Sequence, residues 1–355
     1  MWLALVGVAI AADGIDVTAA MVAAKKPAWE AKGAALDRFL VADAAYRGSS
    51  WEDAAKGMLE ALGEQPGCGK CLLRLSRSLS ELGDPSAPAV VGRLLADFPG
   101  RQDTHLAGLV VYMGAEKFDE GLALATTSQG LWPDWIQGWT YGALSLRSRP
   151  GEIPALADRA AAAEVKAAEV ACLRVLGSAW TFDIEGGKGH WETCKDAESD
   201  VVREPAEGWM ALASGQWKKA VERAPRIDDD TQTRMALVLL RLEEGNPKAA
   251  GVLADKLGLD EPGFVDVAVA RARAHKGIGL AAAASAALDS VFVIGWETSW
   301  NSRPVAMGSQ GPDWLARTMV SAVQLRAEMW RAEGKEVEAR ALVDNAKKIW
   351  PKATI

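Results

Sequence analysis

Residues 63–73 read GEQPGCGKCLL, a stretch that nearly spells a phosphate loop, a redox CxxC and half of a zinc site. A phosphate loop needs G-x4-G-K-[ST], so that backbone N–H groups cradle the phosphates and a hydroxyl holds Mg²⁺. Here five residues separate Gly63 from Gly69, and Cys71 stands where the hydroxyl belongs. The preceding WEDAAKGMLEAL also reads as a helix rather than a strand, so nucleotide chemistry is disfavoured.

Cys68 and Cys71 fall at the start of the next helical run. There the helix dipole and Lys70 would lower a thiol pKa. A thiol-disulfide enzyme would also need a βαβ context, which is missing. The pair reads first as a disulfide candidate or two unremarkable thiols, with a thiol-disulfide enzyme using Cys68 and Cys71 as the lesser alternative function. The other metal-ligating residues are His105, His190, His275, Cys172 and Cys194. His190 and Cys194 are one helical turn apart, and a Cys172/His190/Cys194 zinc cluster is the reading they allow. The competing reading makes Cys194 a small buried hydrophobe. With a turn near residue 187, Cys172 and Cys194 are offset by about 10 Å along the helices, out of disulfide reach. Asp228, Asp229 and Asp230 precede a helix and suit capping better than calcium. No H-E-x-x-H, G-x-S-x-G or EF-hand pattern occurs. The expectation is a non-enzyme with no catalytic residues, cofactor or metal.

The elements that would position these residues form a repeat. Nine glycines (Gly48, Gly83, Gly114, Gly151, Gly187, Gly215, Gly245, Gly277 and Gly334) are spaced by 35, 31, 37, 36, 28, 30, 32 and 57 residues. Two helices with their turns need about that length in most of the intervals. After several of these glycines comes a bulky residue and, three positions on, a small one: Trp51/Ala54, Phe118/Gly121, Trp191/Cys194 and Trp217/Ala220. Such a pair shares a helix face, where the small residue admits a neighbouring helix. First helices are predicted at 30–47, 68–82, 102–113, 134–148, 168–183, 204–214, 230–244, 262–276 and 313–333. Second helices are predicted at 51–62, 86–97, 117–129, 152–165, 190–201, 217–223, 247–257, 279–290 and 335–349.

With its small residues and a Pro near the end of several second helices, at Pro99, Pro133, Pro225 and Pro351, the pattern resembles the tetratricopeptide-repeat (TPR) family. The likeness covers roughly residues 28–350 and rests on the second-helix pattern, since no unit carries an intact W-x2-L-G-x2-Y run. It implies an all-α fold, an α-solenoid of about nine antiparallel helix pairs in a TPR-like superhelix. Its concave face would be lined by first helices and bind a peptide or protein segment. The domain reading is an N-terminal extension or export signal at 1–20, helical repeats at 28–291, a Trp-rich inserted loop at 292–312 and a capping helix pair at 313–355.

Fifteen Trp outnumber the nine Phe and Tyr together, which makes Trp the large apolar residue of this chain. Most are expected between packed helices. Trp135, Trp139 and Tyr141, on one first helix, are the candidate groove aromatics. Trp296, Trp300 and Trp314, in and beside the long loop, are the candidates for a ligand- or glycan-binding flap, the alternative function. The net charge of −7 and the lack of any Lys/Arg block argue against a nucleic-acid partner. The run from Trp2 to Ala12 is apolar but too short to span a bilayer, and Ala9-Ile10-Ala11 has the form of a signal-cleavage site. Export to a bacterial periplasm or cell envelope is the expectation, with a cytoplasmic protein as the alternative.

Overall fold

The computed structural model describes residues 15–147, 149–223, 230–260, 265–293 and 312–349. Residues 1–14 of the N-terminal signal reading, with its apolar run and cleavage motif, and Trp296, Trp300, Asp228 and Asp229 lie outside these residues, as do the side chains of Asp230 and Trp314. Among the described residues there is no strand, only one isolated parallel bridge between Ala28 and Cys68. No described helix is long and apolar enough to cross a membrane.

Two compact units divide the chain, 1–145 and 146–355. The boundary falls inside the fourth predicted helix pair, and each unit is built of helix hairpins. Unit one begins with a short helix α1 (Thr18–Met21). It continues with the pairs α2 (Ala34–Arg47) and α3 (Trp51–Glu64), α4 (Gly69–Glu81) and α5 (Ala87–Asp97), and α6 (Gln102–Gly114) and α7 (Phe118–Leu131). It ends with α8 (Ile136–Ser145). From α2 to α8 each helix packs on the next, α2, α4, α6 and α8 also touch in succession, and α1 lies against α3 and α5. That pattern, neighbour plus next-but-one, is the packing of a TPR-like α-solenoid.

Helix α3 shows why the stacking forms. Ala54, Ala55, Met58, Ala61 and Leu62 are buried along one stripe, while Glu52 and Lys56 pair in solvent on the other face. Fully burying a side chain such as Leu62 stabilises by about 1.5–3 kcal/mol. At Gly57 the backbones of α2 and α3 come so close that a Cβ would sit 2.7 Å from the Ala42 Cβ.

Unit two opens with a 3-10 turn (Pro150–Glu152) and α9 (Ile153–Ala162). Five pairs follow: α10 (Ala167–Thr181) and α11 (Ile184–Cys194), α12 (Asp200–Ser214) and α13 (Trp217–Glu222), α14 (Asp230–Glu243) and α15 (Pro247–Asp260), α16 (Val265–Gly277) and α17 (Ala281–Val293), and α18 (Pro312–Ala332) and α19 (Glu336–Ile349). First helices again touch one another: α10 with α12, α14 with α16, and α16 with α18. Helix α18 also reaches back to α10.

One predicted pair is misplaced. The second helix expected at 190–201 is α11, Ile184–Cys194. The turn after α10 is made by Phe182, whose φ of 55° is left-handed, and by Asp183, which accepts the Gly186 N–H at 3.0 Å. Gly187 is therefore not a helix stop. It is the buried small residue of α11, three positions after Ile184, and a Cβ there would meet the Met210 Cε at 2.6 Å. Trp191/Cys194 is not the bulky/small pair of this unit; Ile184/Gly187 is. The glycine-stop rule holds at Gly83, Gly215, Gly245 and Gly334, all at positive φ. After Gly48 and Gly114 the left-handed residue is Ser49 and Glu116, and after Gly277 it is Gly279.

Candidate functional site

The chemistry suggested at residues 68–71 resolves into a helix start. Cys68 caps α4, its Sγ accepting the Cys71 N–H at 3.2 Å. The N–H groups of Gly69 and Lys70, which a helix N-terminus leaves without intrahelical partners, donate to the Ala28 and Trp29 carbonyls at 3.0 and 2.9 Å. Gly69 has to be glycine, because a Cβ would lie 2.4 Å from the Trp29 ring. Cys68 and Cys71 form a disulfide with Cα atoms 5.3 Å apart, and both residues are wholly buried.

Cys172 and Cys194 also form a disulfide, with Cα atoms 4.7 Å apart. This overturns the expected 10 Å offset. With the turn at Phe182–Asp183, the two cysteines lie at nearly equal distances from it, ten and eleven residues, and so at the same height. The zinc reading fails with it, since both sulfurs are consumed. Among the described residues no trio of His, Cys, Asp or Glu is placed to hold a metal.

Of the groove aromatics, Trp139 is only 4% exposed and donates its indole N–H to the Pro133 carbonyl at 2.8 Å. It pins the turn before α8 and presents no face to a partner. Trp135 lies just before α8 and meets Trp132 edge-on at 5.8 Å. Trp132 in turn meets the buried His105 at 4.9 Å. Tyr141 is half-buried. Trp314 is the third residue of α18, and Trp296 and Trp300 lie outside the described residues.

One cavity in unit two gathers charged and apolar residues, and sequence reasoning missed it. A cavity of about 110 Å³ is lined from five successive first-helix positions. Phe182 comes from the end of α10, Leu212 from α12, and Met235 and Leu239 from α14. Asp266, Val269, Ala270 and Arg273 come from α16, and Arg317, Thr318 and Ser321 from α18. Trp217, first residue of α13, closes one side. Positions 266, 269, 270 and 273 are spaced i, i+3, i+4 and i+7, which places them on one face of α16.

The polar groups of this cavity are unevenly matched. Asp266 accepts from Gln232 Nε2 at 3.0 Å and from the Thr318 hydroxyl, so each carboxylate oxygen is engaged. Arg317 stacks over Phe182, with 4.4 Å to the ring centroid, and donates to the Ala213 carbonyl. Arg273 makes no hydrogen bond or ion pair among the described residues. Burial lowers its pKa, because desolvation disfavours the charged form. The pKa of Arg317 is lowered by burial first and by the Arg273 charge second. Arg271, two residues before Arg273 on α16, differs in pairing with Asp255. The signal available in the sequence was an α16 of small apolar residues that carries Arg on its core-facing stripe.

No protein-family model and no curated protein sequence matches the chain. Solved structures similar to it include the crystal structure of the APC/C hetero-tetramer Cut9–Hcn1, at TM-score 0.37 and 16% identity over 87% of this chain and 55% of that one. Another is the structure of Naa15/Naa10 bound to HypK-THB, at TM-score 0.26 and 14% identity over 90% of this chain and 64% of that one. The chain thus spans a little over half the length of the first and under two thirds of the second. At these scores the overlay is partial, and the solenoid assignment rests on the helix packing within each unit.

Proposed function

We propose that the protein is a non-enzymatic helical-repeat scaffold whose unit two captures a peptide or protein segment on its first-helix wall. The observation that carries the reading is the cavity fed by α10, α12, α14, α16 and α18 at once. A solenoid exposes successive first helices along one surface, and a segment laid there can contact several repeats. At about 110 Å³ the cavity admits one side chain or chain end of such a segment, not a whole cofactor. The two disulfides support an oxidising compartment and hence export to a periplasm or cell envelope.

The test is site-specific photo-crosslinking in the native host. A crosslinker at Ser321, on the cavity lining, should trap a discrete protein adduct. The same group at the exposed Val252 or Val337 should not. Equal labelling at all three positions, or none at Ser321, sinks the reading. N-terminal sequencing of the mature protein tests export.

A further inference from the structure

We infer that the cavity between α16 and α18 is a binding site for a monoanionic carboxylate carried on a small apolar body, held between Arg273 and Arg317. The inference deepens the scaffold reading, on which it rests for the source of the carboxylate but not for the site itself.

Three observations converge. The first is the charge balance of the lining, which among the described residues sets two guanidinium groups against the one carboxylate of Asp266. Asp266 is already held by Gln232 and Thr318, in an orientation set by those bonds. A site with one surplus positive charge is neutralised by one negative charge. A phosphate near its dianionic form would leave excess negative charge beside Asp266.

The second is donor supply. A guanidinium has five N–H donors in a planar fork that matches a carboxylate two bonds at a time. None of the Arg273 donors is used among the described residues. Arg317 commits one nitrogen to the Ala213 carbonyl, and its stacking on Phe182 fixes the plane in which the others lie. Ser321 adds a hydroxyl with no hydrogen bond among the described residues.

The third is the remaining wall. Leu212, Met235, Leu239, Val269 and Trp217 are apolar and offer a hydrocarbon body nothing to hydrogen-bond. The ligand that fits has a carboxylate at one end and a branched or aromatic group at the other.

Holding two guanidinium groups beside one carboxylate leaves a like-charge contact that lowers the stability of the empty protein. Functional sites show this trade, and a purely structural arginine would not. The experiment uses the full chain and follows thermal unfolding at constant ionic strength. Isovalerate should raise Tm, and its neutral isostere isovaleramide should not. Inorganic phosphate should give less than isovalerate. In Arg273→Met the ligand-free Tm should rise and the response to isovalerate disappear, a loss of about tenfold or more in affinity. Arg273→Lys, keeping the charge without the fork, should retain part of the response.

Peptides separate the sources. One ends in a free leucine carboxylate, and the other has an internal Glu and an amidated terminus. Binding of either peptide that is lost in Arg273→Met supports the proposal and identifies the source. If only the free acid binds, the carboxylate site stands and the captured-segment reading falls. An equal response to isovalerate and isovaleramide, or an unchanged response in Arg273→Met, overturns the proposal. So does a ligand-free Arg273→Met that is less stable than the parent.

Discussion

Cys172 on α10 and Cys194 on α11 are bonded at the far end of their hairpin, with Cα atoms 4.7 Å apart and a sequence separation of 22. Their helices are joined at the other end only by Phe182 and Asp183. The hairpin is thus closed covalently at both ends. In the same unit, Trp180 and Trp209 pack edge-to-face at 5.4 Å between α10 and α12.

Removing this bridge should therefore matter more than removing the other. The chain-entropy model assigns about 3 kcal/mol to a loop of this length and about 2 kcal/mol to the short Cys68–Cys71 loop. Replacing Cys172 and Cys194 together by Ala should lower the urea midpoint more than replacing Cys68 and Cys71 together. Reductant should shift the parent but not the quadruple variant. The reverse ranking would show that strain or residual structure, rather than loop closure, governs these bridges.

The hairpins were largely legible because a period near the low thirties and a bulky-then-small step are local features. Helices α2 to α7 and α14 to α19 begin within about four residues of their expected positions, within the usual uncertainty of element boundaries. The exception, α11, has an equally local cause. Gly186, Gly187 and Gly189 imitate a helix stop, while the real stop is Phe182 in a conformation that bulky residues rarely adopt. Only the packing of Gly187 against Met210 explains the glycine.

Glycines in helices should divide by what surrounds them. At Gly57 a methyl group would strike Ala42 at 2.7 Å from its Cβ and 3.4 Å from its Cα, and backbone cannot step aside. Gly57→Ala should cost about 1–3 kcal/mol from overpacking, more than the gain in helix propensity returns. Gly92, inside α5, has nothing within 4 Å of a Cβ. Gly92→Ala should stabilise by up to about 1 kcal/mol. Chemical denaturation of the two variants checks both signs.

The site was far less legible. Trp residues drew the sequence reading because they are large and rare, yet size is also why Trp139 is used to pin a turn. The unmatched charge at Arg273 is a three-dimensional fact. Nothing in its own helix distinguishes it from Arg271, which has Asp255 across the neighbouring helix. Whether an arginine has a partner depends on residues that are distant in sequence.

Asp43 offers a contrast in unit one. It is 5% exposed, and its two oxygens accept from the Nε atoms of Arg47 and Arg74, each at 2.8 Å. Arg74 also stacks on Tyr46, at 4.4 Å, whereas Arg47 is mostly in solvent. Asp43→Ala should cost about 1–2 kcal/mol, the exposed Arg47 and half-buried Arg74 keeping the loss below that of a fully buried pair. Arg74→Ala should cost more than Arg47→Ala. Equal effects of the two arginine variants would remove Tyr46 from the account.

Acid should loosen unit one through His105. The ring is 2% exposed, with Nε2 at 2.8 Å from the Pro99 carbonyl and Nδ1 at 2.8 Å from the Ser128 hydroxyl. A neutral ring donates from Nε2 to Pro99, while its Nδ1 competes with the Leu124 carbonyl, also 2.8 Å from the Ser128 hydroxyl, for that hydroxyl's one proton. Burial holds its pKa below the ordinary value of 6.5, with the bond to Pro99 opposing the shift. Between the lowered folded value and 6.5 the unfolded chain binds more protons than the folded one, so unfolding free energy increases with pH there. This contribution is complete above about pH 6.5 and is lost as pH falls through the folded value. His105→Gln keeps a donor and an acceptor but cannot titrate. Its stability should depend less on pH between 7 and 5 than the parent's, as read from urea midpoints at each pH. Parallel pH profiles for parent and variant would mean that His105 contributes nothing to acid sensitivity.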